Sequence, residues 1–241
     1  MSNFHMGCFL FKKLSLLSRA KACCRLFLVF AISLVCACEK RPANNSAEYL
    51  HAHGITLGVE NSVRVGGSIF VIPANIPLEV FTEGDIEKGI ADTLTFYLDF
   101  SSILKNFADA GVLSPASVRV EIKNLSSINE TSLLDAADGR DWASVEDLRD
   151  IGLTEFRAKR FDGGWGYLSY QATDPTARTP LGGPIQYSCR GSPESGPDMC
   201  WSSFRLNAKT TVWYFLSDDL LPHWSTVHRT IIKTLHIYER T

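Results

Sequence analysis

Cysteines, histidines and acidic residues are the side chains here that could do chemistry, and only the cysteines fall in a telling pattern. No Gly-x-Ser-x-Gly occurs, so the nucleophile elbow of an esterase or lipase is missing. No His-Glu-x-x-His, Walker loop or dinucleotide-binding glycine run occurs either. Asp135, Asp138 and Asp141 form a loose acidic cluster, but their spacing is wrong for a calcium loop. His51 and His53 could present two imidazoles from one strand edge. They have no third ligand in reach along the sequence, so a solvated loop is expected there. His223, His228 and His236 do not share one helix face and read as surface or rim residues. The expectation is a chain with no catalytic residue, no metal and no cofactor.

Cys38 closes an apolar run, Leu26–Cys38, that follows Lys12, Lys13, Arg19, Lys21 and Arg25. A basic segment, a short apolar stretch and small residues at the cut make a signal peptide. The run has 13 residues, whereas a membrane-crossing helix needs about 20, so an uncleaved anchor is the weaker reading. Val35-Cys36-Ala37-Cys38 resembles a bacterial lipobox, whose last cysteine is acylated before cleavage. Cys36 is a rival acceptor, but branched Val35 precedes it, while small Ala37 precedes Cys38. The expected organisation is a signal peptide over 1–37, a lipidated cysteine and polar tether over 38–48, and a binding domain over 49–241. A break near 125–145 would divide that domain into two lobes. Two or more acyl chains hold a protein stably on a membrane. Glu39 is not the Asp of an inner-membrane retention signal, so the expected address is the periplasmic face of the outer membrane.

Cleavage after residue 37 leaves 204 residues, enough for one sizeable core. The leader holds five of the 24 Lys+Arg and none of the 26 Asp+Glu, so the mature chain carries a formal charge of −7. That balance argues against nucleic acid, which needs a basic surface. It argues against electrostatic adhesion to anionic lipid, leaving the anchor as the membrane contact. It is compatible with a basic protein partner. Of seven cysteines, Cys189 and Cys200 remain as a pair in an oxidising compartment. The ten residues between them, RGSPESGPDM, are rich in turn formers, and a disulfide is expected.

These residues must be positioned by strands. Leu94–Phe100 and Val118–Ile122 alternate apolar and polar with period two, the mark of half-buried antiparallel strands. Ser68–Ile72, Trp165–Gln171, Ile185–Cys189, Cys200–Leu206 and Thr210–Leu216 are further strand candidates. Asn207-Ala208-Lys209 joins the last two as a hairpin. Leu220, Trp224, Val227, Ile231, Leu235 and Tyr238 make one helical stripe, with Ser217, Asp218 or Asp219 as cap and Pro222 in the first turn. Asp141–Ile151 reads as a second helix with a capping box at Ser144 and Asp147, and Ser101–Ala110 as a short third. The fold class is α+β: antiparallel sheet with a C-terminal amphipathic helix packed on one face.

Trp and Tyr are strong interface anchors. Trp165, in Gly163-Gly164-Trp165-Gly166, and Tyr167 after it are candidate partner-binding residues, as are Tyr187 and Trp201 beside the cysteine pair. The lipobox, the strand ending Phe70-Val71-Ile72-Pro73, the pair Cys189 and Cys200-Trp201, and Val212-Trp213-Tyr214-Phe215 followed by Leu220, Trp224 and Ile231 together resemble immunity lipoproteins. Such proteins protect bacteria from type VI secretion effectors, phospholipase toxins in particular. The resemblance implies a non-enzymatic inhibitor that holds a cognate toxin by surface complementarity. An envelope assembly lipoprotein, or an enzyme with a site scattered through the sequence, are the other readings.

Overall fold

Alternating segments pair into two sheets. The computed structural model describes residues 41–104, 116–125, 128, 130, 132–133, 142–159, 167–192 and 196–240. A short helix α1 (Ala47–Ala52) comes first, then β1 (Asn61–Val65), β2 (Ser68–Ile72), β3 (Leu78–Phe81), β4 (Ile90–Ala91), β5 (Thr93–Asp99) and β6 (Ser117–Lys123). Six more strands and the closing elements follow: β7 (Trp142–Leu148), β8 (Leu153–Ala158), β9 (Leu168–Ala172), β10 (Gln186–Ser192), β11 (Gly196–Arg205), β12 (Thr211–Ser217), a 3-10 turn over Asp218–His223, α2 (Trp224–Tyr238) and β13 (Glu239–Arg240). The small sheet has the order β13-β2-β1-β4, and the large one β3-β5-β6-β12-β11-β10-β9-β8-β7. Every neighbour in the large sheet is antiparallel. The class is α+β, with the helix after the strands, as expected. Pro42–Thr241 forms one compact unit.

One face of the large sheet carries the core. Leu94, Phe96, Val118, Val120, Ile122, Phe204, Val212, Tyr214 and Leu216 are buried there. α2 lays Trp224, Val227, Ile231, Leu235 and Tyr238 against it. Its Tyr238 ring meets Phe96 edge-on at 5.7 Å, and Trp224 meets Tyr187 at 6.4 Å. The turn before α2 has Ser217 as N-cap without a side-chain cap bond, with Pro222 inside the turn. β13 then continues the chain onto the edge of β2, register Glu239 with Phe70.

The small sheet is seated by a hairpin turn. Gly66 adopts φ 57°, and a Cβ there would meet the Lys209 carbonyl at 2.6 Å. Only glycine allows both the turn and that approach. Asn207 Nδ2 donates to Ser68 Oγ at 2.9 Å across the same junction.

Several sequence expectations are corrected. Residues 142–148 form a strand at the edge of the large sheet, not a helix. Trp142, Val145 and Leu148 recur at a helical spacing, but pairing with β8, register Val145 with Phe156, overrides that weak pattern. Ser101–Leu104 make a turn, and the rest of the proposed third helix lies outside the described residues. Part of the expected tether is held: Asn45 Oδ1 accepts from Val80 N, Ser46 caps α1, and Tyr49 is fully buried. His53 is buried too, its ring bonded to the Tyr49 carbonyl and the Thr82 hydroxyl, each at 3.0 Å.

Candidate interaction surface on the open sheet face

Strand parity sorts the side chains around the cysteines. Cys189 and Cys200 sit opposite each other on β10 and β11, both fully buried, and are joined as a disulfide. Alternate residues of a strand share a face. Tyr187, two before Cys189, therefore points inward, and Trp201, next to Cys200, points outward. The expected role of Tyr187 as a surface anchor is thereby corrected: only 1% of it is exposed.

Tyr187 belongs instead to a buried polar chain. Its hydroxyl lies 2.7 Å from that of Tyr214, which lies 3.0 Å from Nδ1 of His228 on α2. Ser202 bonds Tyr214 as well. Burial raises both tyrosines well above their ordinary range, with the mutual bond adding to this at Tyr187. Burial also lowers His228 from 6.5 to about 4, so the imidazole is neutral. Its Nε2 has no hydrogen-bond partner among the described residues. His228, expected at the surface, is a core residue. A neutral imidazole tolerates this site because Tyr214 satisfies one nitrogen.

The opposite face holds a different arrangement. Trp201 of β11 and Trp213 of β12 stack with centroids 4.8 Å apart and planes 5° from parallel. Lys123 Nζ of β6 lies 4.5 Å from the Trp213 centroid, and the Arg119 guanidinium 5.7 Å from that of Phe215. Glu121, buried between the two cations in sequence, takes Arg119 Nη2 at 2.5 Å and Lys123 Nζ at 2.7 Å on its two oxygens. The register explains the cluster: Trp213 faces Glu121, and Phe215 faces Arg119, across β6 and β12. Tyr97 of β5 faces Arg119 on the other side. Trp201, Trp213, Phe215 and Tyr97 are half-buried, and about half of the Arg119 side chain is exposed. Cation–π pairs at such sites contribute about 0.5–1 kcal/mol each, so they hold the side chains in place more than they stabilise the fold.

This surface is aromatic, and its side chains are tied to one another by stacking, cation–π contacts and shared ion pairs. Such a surface suits recognition of another macromolecule, because little side-chain freedom is lost on contact. Tyr167, half-buried before β9, accepts from Ala158 N at 2.9 Å through its carbonyl. Trp165 and Cys38 lie outside the described residues. Trp213, Phe215, Arg119 and Lys123 were missed by sequence reasoning. The signal was there: in VWYFLS, parity puts Trp213 and Phe215 opposite Val212, Tyr214 and Leu216. Aromatics on both faces hid which side was inside. No group of three metal-ligating side chains, and no helix long and apolar enough to cross a membrane, occurs among the described residues.

No family model matches the chain, and no curated protein matches its sequence. Among solved structures, the fold is similar to that of Smlt3025, an immunity protein of the Stenotrophomonas maltophilia type IV secretion system. The TM-score is 0.43 with 14% identity, covering 76% of this chain and 94% of that one, a likeness too slight to transfer an activity.

Proposed function

We propose that this chain is an immunity protein that binds and inhibits a secreted toxin, acting as a non-enzymatic lipoprotein on the periplasmic face of the outer membrane. The toxin we assign to it is a type VI secretion effector of the phospholipase kind. The observation that carries the binding reading is the strip Trp201, Trp213, Phe215 and Arg119 on the open face of the large sheet. Tryptophan, tyrosine and arginine dominate the energetics of protein interfaces when they are ordered beforehand. The acidic balance of the mature chain favours a basic partner, since opposite net charges speed encounter. Blocking a substrate cleft or locking a lid would inhibit a lipase without any chemistry in the inhibitor.

The test has two arms. Deletion of the gene in cells carrying the adjacent effector gene should make them susceptible to killing by sibling cells, and survival would overturn the immunity reading. The double variant Trp201→Ala, Trp213→Ala should weaken binding of that effector by at least about 30-fold, the size of a hot-spot loss. Unchanged affinity would move the interface elsewhere on the molecule.

A further inference from the structure

At the β7 end of the large sheet a row of polar side chains crosses four strands. Asp147 on β7 faces Thr154 on β8, Thr154 faces Gln171 on β9, and Gln171 faces Gln186 on β10. Like the aromatic strip, these residues lie on the face opposite the buried core residues Leu153 and Tyr170. Asp147, Thr154 and Gln171 of this row form the floor of a cleft of about 440 Å³, walled by 172–175, Ala177, Arg178 and Pro184. That volume falls within the usual range for small-molecule sites.

The floor is built with fixed polarity. Gln171 is 7% exposed, and its Oε1 accepts three hydrogen bonds, from Leu133 N at 2.8 Å, Ser132 Oγ at 3.0 Å and Gln186 Nε2 at 3.1 Å. The backbone donor fixes which end of the amide is oxygen. The amide nitrogen is left with two donors and no acceptor among the described residues, in a side chain that lines the cleft. Asp147 Oδ1 accepts from the Thr154 hydroxyl at 2.8 Å, and its second oxygen carries no bond among the described residues. Arg178 donates through Nε to the Pro175 carbonyl, and its terminal nitrogens carry no bond among the described residues. Asp174 takes Thr176 on one oxygen only.

The cleft thus presents donors, from Gln171 and Arg178, beside carboxylate acceptors, from Asp147 and Asp174, the former with one oxygen unbonded among the described residues. A cation would meet the guanidinium and the amide hydrogens. An anion would meet two carboxylates. An apolar group would strand the amide N–H groups, which costs free energy. The complement is a neutral ligand whose groups donate and accept at close spacing, as the vicinal hydroxyls of a sugar do. We propose that this cleft binds a polyhydroxylated ligand of one or two sugar rings, with Gln171 Nε2 donating and Asp147 accepting.

Saturation-transfer NMR on the purified full chain would test this, with glucose, N-acetylglucosamine and maltose as probes and a blocked glycine peptide amide as the non-sugar control, each at about 10 mM to detect weak affinity. At least one sugar should receive saturation. Gln171→Glu retains the oxygen acceptors but removes the donors, and Asp147→Asn removes the charge; each should weaken binding by about tenfold or more with an unchanged melting temperature. Arg178→Ala, on the rim, reads the same site should either variant fail to fold. No transfer to any sugar, transfer to the peptide alone, or transfer that all three variants leave unchanged would overturn the proposal.

Discussion

His228, on the inner side of α2, is held neutral by burial, and Tyr214 bonds one nitrogen only. Unfolding releases it to its ordinary value of 6.5, so between pH 6.5 and about 4 the unfolded chain takes up a proton that the folded chain refuses. Stability should therefore fall as pH drops through that window and level off below it. The loss would approach about 3 kcal/mol from this group. Urea unfolding from pH 7.5 to 4 would measure it, and His228→Gln should flatten the slope while retaining a partner for Tyr214. A second contrast separates fold from interface. Tyr187→Ala should cost about 3–5 kcal/mol, because it empties core volume and removes one of the partners of the Tyr214 hydroxyl. Trp201→Ala, on the half-exposed face, should cost under about 1.5 kcal/mol in denaturant melts and appear instead in partner affinity. The parity that separates these two residues could be read from the cysteine pair once its cross-strand geometry was known. Sequence spacing alone allowed both to be outside.

The alternating segment Val118–Ile122 falls inside β6, Ser117–Lys123, and the apolar candidate Ser68–Ile72 has the bounds of β2, ending just before Pro73. β7 escaped because its residues are almost all exposed and its stripe also fits a helix; only its pairing with β8 decides it. The disulfide ties β10 to β11 at a buried register position, 11 residues apart. Removing it with Cys189→Ala, Cys200→Ala should lower stability by about 3 kcal/mol in the chain-entropy account, measured by chemical denaturation. Cysteine spacing and the compartment expected from the leader pointed to this bridge. Neither could foretell that it faces the core. The α2 stripe was legible throughout, but not that His228 joins it, because a titratable residue reads as surface until a tyrosine is found to satisfy it.

The proposed anchor belongs to the scale of the whole molecule. If Cys38 is acylated, Cys38→Ser should move the protein from the outer-membrane fraction to the soluble periplasmic fraction in density-gradient separation of its host cells, with the fold unchanged. Equal distribution of the two forms would remove the anchor from the proposal. Taken alone, the amino-acid order determined the class of fold, the closing helix, the pairing of Cys189 with Cys200 and which strands alternate. These are local matters of period, turn chemistry and thiol count. Tertiary structure decided which aromatics face outward, which histidines are buried, and that Asp147, Thr154, Gln171 and Gln186 form one row. Such neighbours are brought together by hydrogen-bond register between strands distant in sequence, and register depends on the energy of the whole sheet rather than on any one segment.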